Sequence, residues 1–149
     1  MRILLQRVKQ ASVTVDGIEI SSIGAGLMGL VGVEAGDTEA DMEYIAQKVS
    51  KIRIFDDADG VMNLDIEQVG GEFMMVSQFT LLASTKKGNR PSYINAAKGE
   101  DGLAHYDRLC NRLLELTGKD VKRGQFGADM QVSLVNDGPV TIWIDSRNK

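Results

Sequence analysis

The sequence predicts a single α+β domain over residues 1–149, in which two main helices pack on one face of a curved, barrel-like and largely antiparallel β-sheet. Three observations support this prediction. The length suits one domain with one hydrophobic core. Two segments, Thr38–Ile52 and Asp101–Thr117, carry apolar residues at helical spacing. The other apolar segments are short and bounded by turn residues, and their order is neither a strict β–α–β alternation nor all β.

The N-terminal segments predict three strands. Arg2–Val15 is rich in Ile, Leu and Val, and the Asp16-Gly17 pair that follows it is typical of a two-residue hairpin turn. Ile18–Ile20 continues as the second strand. The continuous apolar run Leu27–Val33 predicts a buried strand. The glycines before this run match GxGxxG formally, but they precede a strand instead of opening a helix, so they do not indicate a dinucleotide site.

The first helix is predicted over Thr38–Ile52, where Thr38 and Asp41 resemble a capping box. A short strand, Arg53–Phe55, follows this helix. The turn Asp56–Gly60 contains three acids and raises the question of a calcium site. Because the spacing lacks the distal Glu of an EF-hand loop, we interpret it as a solvated turn.

The second half of the chain predicts further strands around one helix. A central strand lies within Glu72–Ala83 and runs through Phe73–Val76 into Leu81, and the polar loop Thr85–Ser92 follows it. The second helix is Asp101–Thr117, which Gly118 ends. Ser133–Asp145 reads as two strands joined by a tight turn at Asn136–Pro139. Pro139 is unusual there, because it has no N–H where the second strand should begin to pair.

Composition excludes several classes of function. The net charge of −4 argues against broad coating of nucleic acid but permits a local basic patch. Cys110 is the single cysteine, and no Cys/His cluster predicts a metal site or another cofactor. The N-terminal charges do not fit a signal peptide, and no apolar run approaches a membrane span, so we expect a cytoplasmic protein. His105 is the only histidine, which leaves Ser77 and Thr80 without an obvious activating base.

Two segments stand out against this background. Ser77-Gln78-Phe79-Thr80 interrupts a buried strand with three polar residues, and Gly138-Pro139 sits at the predicted hairpin tip. Each has a plain structural alternative. The hydroxyls of the first segment could satisfy backbone groups at a strand end, and the proline could protect an edge strand from unwanted pairing.

The two segments together resemble the D-aminoacyl-tRNA deacylase family, also called the D-tyrosyl-tRNA deacylases. The motifs on which this resemblance rests are SQFTL at Ser77–Leu81 and NDGPVT at Asn136–Thr141. The resemblance spans the whole chain and includes the stretches Gln6–Gly17, Arg53–Phe55, Arg90–Ser92 and Phe126–Thr141. One departure is Arg123, which stands where we expect a Thr.

The resemblance implies a cytoplasmic homodimer with a proofreading role, which hydrolyses the ester between a D-amino acid and the 3′ end of tRNA. It assigns catalysis to the segment Ser77, Gln78, Phe79 and Thr80. It also implies that the Gly138-Pro139 bond is cis and that the dipeptide enters the other subunit's pocket as a chirality gate that rejects L-amino acids. Arg7 would hold this gate, and Phe126 and Met130 would line the adenosine end of the pocket.

The residues leave alternatives for the mechanism, for the tRNA contacts and for the function. Two mechanisms are open. In one, backbone N–H groups near Phe79 and Thr80 polarise the ester and the ribose 2′-hydroxyl helps to activate water. In the other, Thr80 is a covalent nucleophile. Because the gate excludes side chains, we expect glycyl-tRNA to be cleaved too. Phosphate contacts could come from either of two basic clusters, Lys86/Lys87/Arg90 or Lys119/Lys122/Arg123. A non-catalytic nucleotide-binding dimer and a metal-dependent hydrolase are the alternative functions, and the second lacks candidate ligands.

Overall fold

The structure, a computed structural model, describes residues 1–149 and contains eight strands, two α-helices and one 3-10 helix. In chain order these are β1 (Arg2–Val15), β2 (Ile18–Ile23), β3 (Gly26–Gly32), α1 (Glu39–Lys51), β4 (Phe55–Asp56), β5 (Met62–Leu64), β6 (Glu72–Ser77), the 3-10 helix (Phe79–Leu82), α2 (Gly99–Thr117), β7 (Val121–Arg123) and β8 (Gln131–Asp145). Neither α-helix combines the length and the apolarity that a membrane crossing requires.

Six of the strands form one mixed sheet around β1. Strands β2 and β3 pair with one edge of β1 and β8 pairs with the other, all antiparallel. Strand β6 is parallel to β3, and β7 is parallel to β6. The predicted α+β class with two main helices is therefore confirmed, and three of the five strand pairings are antiparallel.

The sheet curves until its ends nearly meet, as in a barrel. The hydroxyl of Ser21 on β2 donates a hydrogen bond of 2.8 Å to the carbonyl of Arg123 on β7. Because successive side chains along β6 point to opposite faces of the sheet, this strand contributes to the cores on both faces. Phe73 and Met75 join the main core with the two helices, whereas Met74 and Val76 join a smaller core on the opposite face.

The predicted hairpin at Asn136–Pro139 is wrong. Strand β8 pairs with β1 in the same antiparallel sense before and after this segment, so the chain does not reverse. Asn136 lies opposite Val8 and Thr141 lies opposite Gln6, so the four residues 137–140 face Arg7 alone and form a bulge. The Asn136 side chain spans the bulge, because it accepts from the Val140 N–H and donates to the Thr141 hydroxyl, both at 3.0 Å.

The central strand also ends earlier than predicted. Strand β6 stops at Ser77, and the Gln78 N–H donates to the Val31 carbonyl at 2.7 Å before the chain turns into the 3-10 helix. Gly32 explains this turn. A Cβ on Gly32 would lie 2.5 Å from the Leu82 side chain, so glycine lets the 3-10 helix cross the end of β3.

Candidate functional site

A pocket of about 520 Å³ opens between the end of β6, the 3-10 helix and the start of α2. Most of its lining is apolar, and its size is typical of small-molecule sites. Five residues singled out from the sequence line this pocket together: Ser77, Gln78, Phe79, Phe126 and Met130. Thr80 does not line the pocket and lies directly behind Gln78, whose amide donates a hydrogen bond to the Thr80 hydroxyl.

One end of the pocket offers hydrogen-bond donors. The Ser77 side chain is half-buried and makes no hydrogen bond within the chain, so its hydroxyl is available to a ligand. The backbone N–H groups of Phe79 and Thr80 open the 3-10 helix, where the first donors have no intrahelical acceptor. This end can therefore stabilise negative charge on a bound group.

No histidine or carboxylate side chain lines the pocket, and its one amine is that of Lys98 at the start of α2. His105 is absent from the lining, and its ring nitrogen lies 3.0 Å from the Asp101 carbonyl on α2. Tyr106 lines the pocket, but its hydroxyl donates to the Met75 carbonyl at 2.7 Å. Burial raises the pKa of Tyr106, so the phenol stays protonated at neutral pH.

The chain also offers neither a reactive thiol nor a set of metal ligands near the pocket. Cys110 is buried beside Tyr106, and burial raises the pKa of its thiol to about 11. A thiol with so high a pKa is a poor nucleophile at neutral pH. No cluster of three or more His, Cys, Asp or Glu side chains is arranged to hold a metal ion.

Aromatic rings line both ends of the pocket. Phe79 is 55% exposed and meets Tyr93 edge to face, with the ring centroids 5.1 Å apart. At the other end Phe126 packs against Tyr106. A Cβ on Gly102 would lie 3.2 Å from the Phe126 ring, so this helical glycine makes room for the ring.

Tyr93, Gly102 and Tyr106 also line the pocket and were not predicted from the sequence. Tyr106 belongs to the apolar stripe of α2, so its periodicity predicts only a core position. Tyr93 follows an irregular loop that has no periodic signal. Gly102 did carry a signal, because an isolated glycine inside a helix often marks a close approach.

Two of the remaining predicted site residues, Gly138 and Pro139, lie in the bulge of β8, and we call the bulged residues Asp137–Val140 the tip. The Gly138–Pro139 peptide bond is cis, and both residues are exposed. None of the three residues Gly138, Pro139 and Arg7 lines the pocket of its own chain. The predicted site is therefore divided between two places on one molecule.

Arg7 clamps the base of the tip. Its side chain is only 9% exposed, and its Nε donates to the Asp137 carbonyl at 3.1 Å. Its Nη1 donates to the Ile54 carbonyl at 2.7 Å and to the Asp56 carboxylate at 3.1 Å. The guanidinium thus ties the tip to the chain around β4, as a planar donor with several fixed N–H groups can.

Strand β8, which carries the tip, has one free edge. Its pairing with β1 uses one edge, and no strand of the chain covers the other. Val135 and Trp143 on this strand are 45% and 48% exposed. A strand of 15 residues with an open edge and exposed apolar side chains is a surface on which another chain can pair.

The two basic clusters differ in their surroundings. Lys122 pairs with Asp120 at 2.8 Å, and Arg123 pairs with Asp107 at 3.0 Å and donates to Asn111 at 2.6 Å. Carboxylates therefore neutralise most of this cluster. Lys86, Lys87 and Arg90 are exposed and lie within 4.0 Å of no carboxylate.

Comparisons with known proteins agree over the full chain. Residues 4–145 match the family described as D-Tyr-tRNA(Tyr) deacylase. The D-aminoacyl-tRNA deacylase of Porphyromonas gingivalis is 54% identical over 149 residues, which cover 100% of this chain and 99% of that protein. The D-aminoacyl-tRNA deacylase of Chromobacterium violaceum is 57% identical over 148 residues, or 99% of each chain.

Solved structures resemble the chain as well. A structure described as c-Myc DNA Unwinding Element Binding Protein superposes with a TM-score of 0.92 at 37% identity, covering 97% of this chain and 98% of the other. A structure described as a probable eukaryotic D-amino acid tRNA deacylase superposes with a TM-score of 0.80 over the same shares. At 18% identity, this second similarity concerns the fold alone.

Proposed function

The chain belongs to the D-Tyr-tRNA(Tyr) deacylase family, and on that premise we propose how its pocket and its tip divide the reaction between them. The activity is that of a D-aminoacyl-tRNA deacylase, a hydrolase of the ester bond in aminoacyl-tRNA. The pocket binds the aminoacylated 3′-terminal adenosine. The tip of a second copy of the chain excludes L-amino acids, and the enzyme works as a cytoplasmic homodimer.

One observation carries the assignment of the pocket. It is largely apolar, with free donors near Ser77 and Phe79 and with the Phe126 ring, and no histidine or carboxylate lines it. An aminoacylated adenosine needs these features, because its base stacks on an aromatic ring and its ester carbonyl accepts hydrogen bonds. We therefore place the adenine near Phe126 and Met130, and the ester near Ser77 and Gln78.

The proposed chemistry relies on donors and on the substrate itself. Water attacks the ester carbonyl, and the N–H groups of Phe79 and Thr80 stabilise the oxyanion that forms. Such donors can lower a barrier by several kcal/mol. The ribose 2′-hydroxyl relays a proton from the water to the departing 3′-oxygen as the ester C–O bond breaks. Ser77 and Gln78 orient the ester and the ribose.

The environment of Thr80 supports this route over a covalent one. A threonine nucleophile needs a neighbouring base to remove its proton. The Thr80 hydroxyl accepts a hydrogen bond from the Gln78 amide, and no histidine, lysine or carboxylate is hydrogen-bonded to it. We therefore assign Thr80 to the support of Gln78.

The tip supplies the selection by handedness. Gly138 and Pro139 are exposed, held by Arg7 and absent from the pocket of their own chain. In a two-fold dimer each tip can reach the pocket of the other subunit, and the free edge of β8 supports such an assembly. The carbonyl oxygens of the tip then face the substrate Cα, where they receive the amino group and leave no room for an L side chain.

Selection by exclusion has a direct consequence for glycine. Because glycine has no side chain, nothing in the gate can reject it. Glycyl-tRNA is therefore a substrate of the proposed site, which would clear glycine from a wrongly charged tRNA.

The test is release of free amino acid from tRNA charged with a D-amino acid, with its L enantiomer or with glycine. We expect release from the D-aminoacyl and glycyl substrates, none from the L-aminoacyl substrate, and the same rates in the presence of a chelator. An enzyme that spares glycyl-tRNA contradicts the exclusion model. Activity that disappears in the chelator contradicts the metal-free mechanism.

A further inference from the structure

Charge is distributed unevenly along the chain. The 27 residues Phe73–Gly99 contain no Asp or Glu and contain four cationic residues, Lys86, Lys87, Arg90 and Lys98. Because the whole chain has a net charge of −4, the other 122 residues carry a net charge of −8. The positive charge is therefore concentrated in one continuous segment.

This segment also forms the open side of the pocket. It runs from β6 through the 3-10 helix into a loop, 85–91, which we call the basic loop. Two backbone hydrogen bonds between Ser84 and Ser92, of 2.8 and 2.9 Å, close the base of this loop. Phe79 before the loop and Tyr93 after it are in contact and both line the pocket, so the basic loop is fixed at the pocket rim.

Lys98 lies on the same rim, at the start of α2, and its side chain is exposed. Neither Lys98 nor any cation of the basic loop lies within 4.0 Å of a carboxylate, in contrast to Lys122 and Arg123. Exposed cations that lack an internal partner attract an anionic ligand at long range, and more strongly at low salt. Lys98 and the basic loop therefore place unpaired positive charge at the pocket mouth, beside the exposed aromatic pair Phe79 and Tyr93.

We infer that the single-stranded 3′ end of the tRNA leaves the pocket across this rim. Its phosphates contact Lys86, Lys87 and Arg90 on the basic loop and Lys98 on α2, and its bases lie against Phe79 and Tyr93. This inference rests on the proposed function, since it continues the chain of the adenosine bound in the pocket. Positive charge beside aromatic side chains is the usual combination for binding single-stranded nucleic acid.

The matched test compares two double variants. Lys86→Gln/Lys87→Gln removes two charges from the basic loop. Lys48→Gln/Lys149→Gln removes two exposed charges that lie away from the pocket, over the Tyr44 ring, and within 4.0 Å of no carboxylate. Each is assayed on D-aminoacyl-tRNA between about 50 and 200 mM salt. Each is also assayed on a D-aminoacyl adenosine, which has no phosphate.

For the basic-loop variant we expect KM for the tRNA substrate to rise roughly 10-fold at low salt, with kcat unchanged. The slope of log(kcat/KM) against log salt should become shallower by about 1.4, because each single-strand phosphate contact contributes about 0.7. Kinetics on the adenosine substrate should not change. Lys98→Gln should show about half of the change in slope.

Three outcomes would overturn the inference. The first is an equal change in slope for the Lys48/Lys149 variant, which would indicate a general charge effect. The second is an unchanged slope for the basic-loop variant. The third is a loss of dimer in sedimentation, which would assign the basic loop to a protein interface.

Failure of the proposed function would look different, because the unmodified enzyme would then hydrolyse neither substrate. In that case binding of an uncharged single-stranded RNA ending in CCA, measured with the same variants, still tests the basic loop. A salt-dependent loss of binding in the basic-loop variant alone supports the inference. Equal binding by all variants overturns it.

Discussion

The pocket and the tip are built in opposite ways. The pocket is enclosed by strand ends and helix starts of one chain, and its donors belong largely to the backbone near Phe79. The tip is a bulge on a strand with a free edge, and one buried side chain, Arg7, fixes it through Asp137 and Asp56. Changes in the pocket should therefore alter the rate of hydrolysis, and loosening the tip should alter the choice of substrate. Added bulk on the tip should instead block the pocket that the tip enters.

The largest expected effect comes from mixing two inactive variants. In Gly102→Leu the added side chain meets the Phe126 ring and fills the pocket. In Gly138→Leu it meets Val140 and Arg7 at a residue whose φ is +127°, so the tip is distorted and, in the proposed dimer, its added bulk blocks the other subunit's pocket. Because the proposed mechanism joins the tip of one subunit to the pocket of the other, co-expression should restore roughly a quarter of wild-type activity from two nearly inactive proteins.

Each single variant must first be shown to fold and to dimerise, by circular dichroism and by sedimentation. A mixture that stays inactive although it contains heterodimers would place the tip and the pocket of one site in the same subunit. That result would remove the main difference between the two regions.

Arg7→Ala is expected to have the next largest effect, and to act on the tip alone. It frees the tip and leaves Asp56 and the Ile54 carbonyl without their donor. A loosened tip should reduce the ratio of kcat/KM for D- over L-aminoacyl-tRNA by roughly 10- to 100-fold. Stability should fall by about 1–3 kcal/mol in urea unfolding, since both carboxylates near Arg7 are partly solvated.

Arg7→Lys separates charge from geometry. It keeps the positive charge but lacks the planar set of donors that reaches three acceptors. Selectivity should therefore stay low in Arg7→Lys even if part of the stability returns. Full selectivity in this variant would mean that the tip needs only a nearby charge.

The tip also shows why the sequence predicted some parts and not others. Asn136, Gly138 and Pro139 favour a chain reversal when they are read locally, because turns and bulges use the same residues. What decides between them is the pairing of both halves of β8 with β1, more than 100 residues away in the chain. Periodicity within a short window contains no information about such pairing.

The helices and most strands were predictable because their signals are local. The capping box at Thr38 and Asp41 and the glycine at Gly118 mark helix ends in the sequence, and the structure contains both. In the pocket, Ser77 and Phe126 were singled out through motifs. Tyr93 was not, because it enters the pocket through contact with Phe79 after an irregular loop.

A smaller effect is expected from Thr80→Val, which tests the chemistry of the pocket. Valine has nearly the shape of threonine but lacks the hydroxyl that accepts from Gln78. If backbone donors carry the reaction, kcat on D-aminoacyl-tRNA should fall by less than about 10-fold, the share of one supporting hydrogen bond. Complete loss of turnover, with the fold intact, would instead favour Thr80 as a covalent nucleophile.

The smallest effect on activity is expected from Asp41→Asn, which lies in neither region and serves as a stability control. Burial raises the pKa of Asp41, but hydrogen bonds from the Thr38 N–H, the Ser146 hydroxyl and the Thr38 hydroxyl outweigh it and lower the pKa to about 2. Because this is below the ordinary value of 3.8, the carboxylate stabilises the folded state above about pH 4. That contribution disappears as pH falls towards 2.

Asp41→Asn should therefore be less stable than wild type at pH 7 and should lose less stability between about pH 4 and pH 2 in urea unfolding. Its preference for D- over L-aminoacyl-tRNA should equal that of wild type, since Asp41 contacts neither the pocket nor the tip. Compared at equal loss of stability, only the Arg7 variants should then lose selectivity. If Asp41→Asn also lost it, the effect of Arg7 would reflect general loosening of the fold, and the tip would have no separate role in selection.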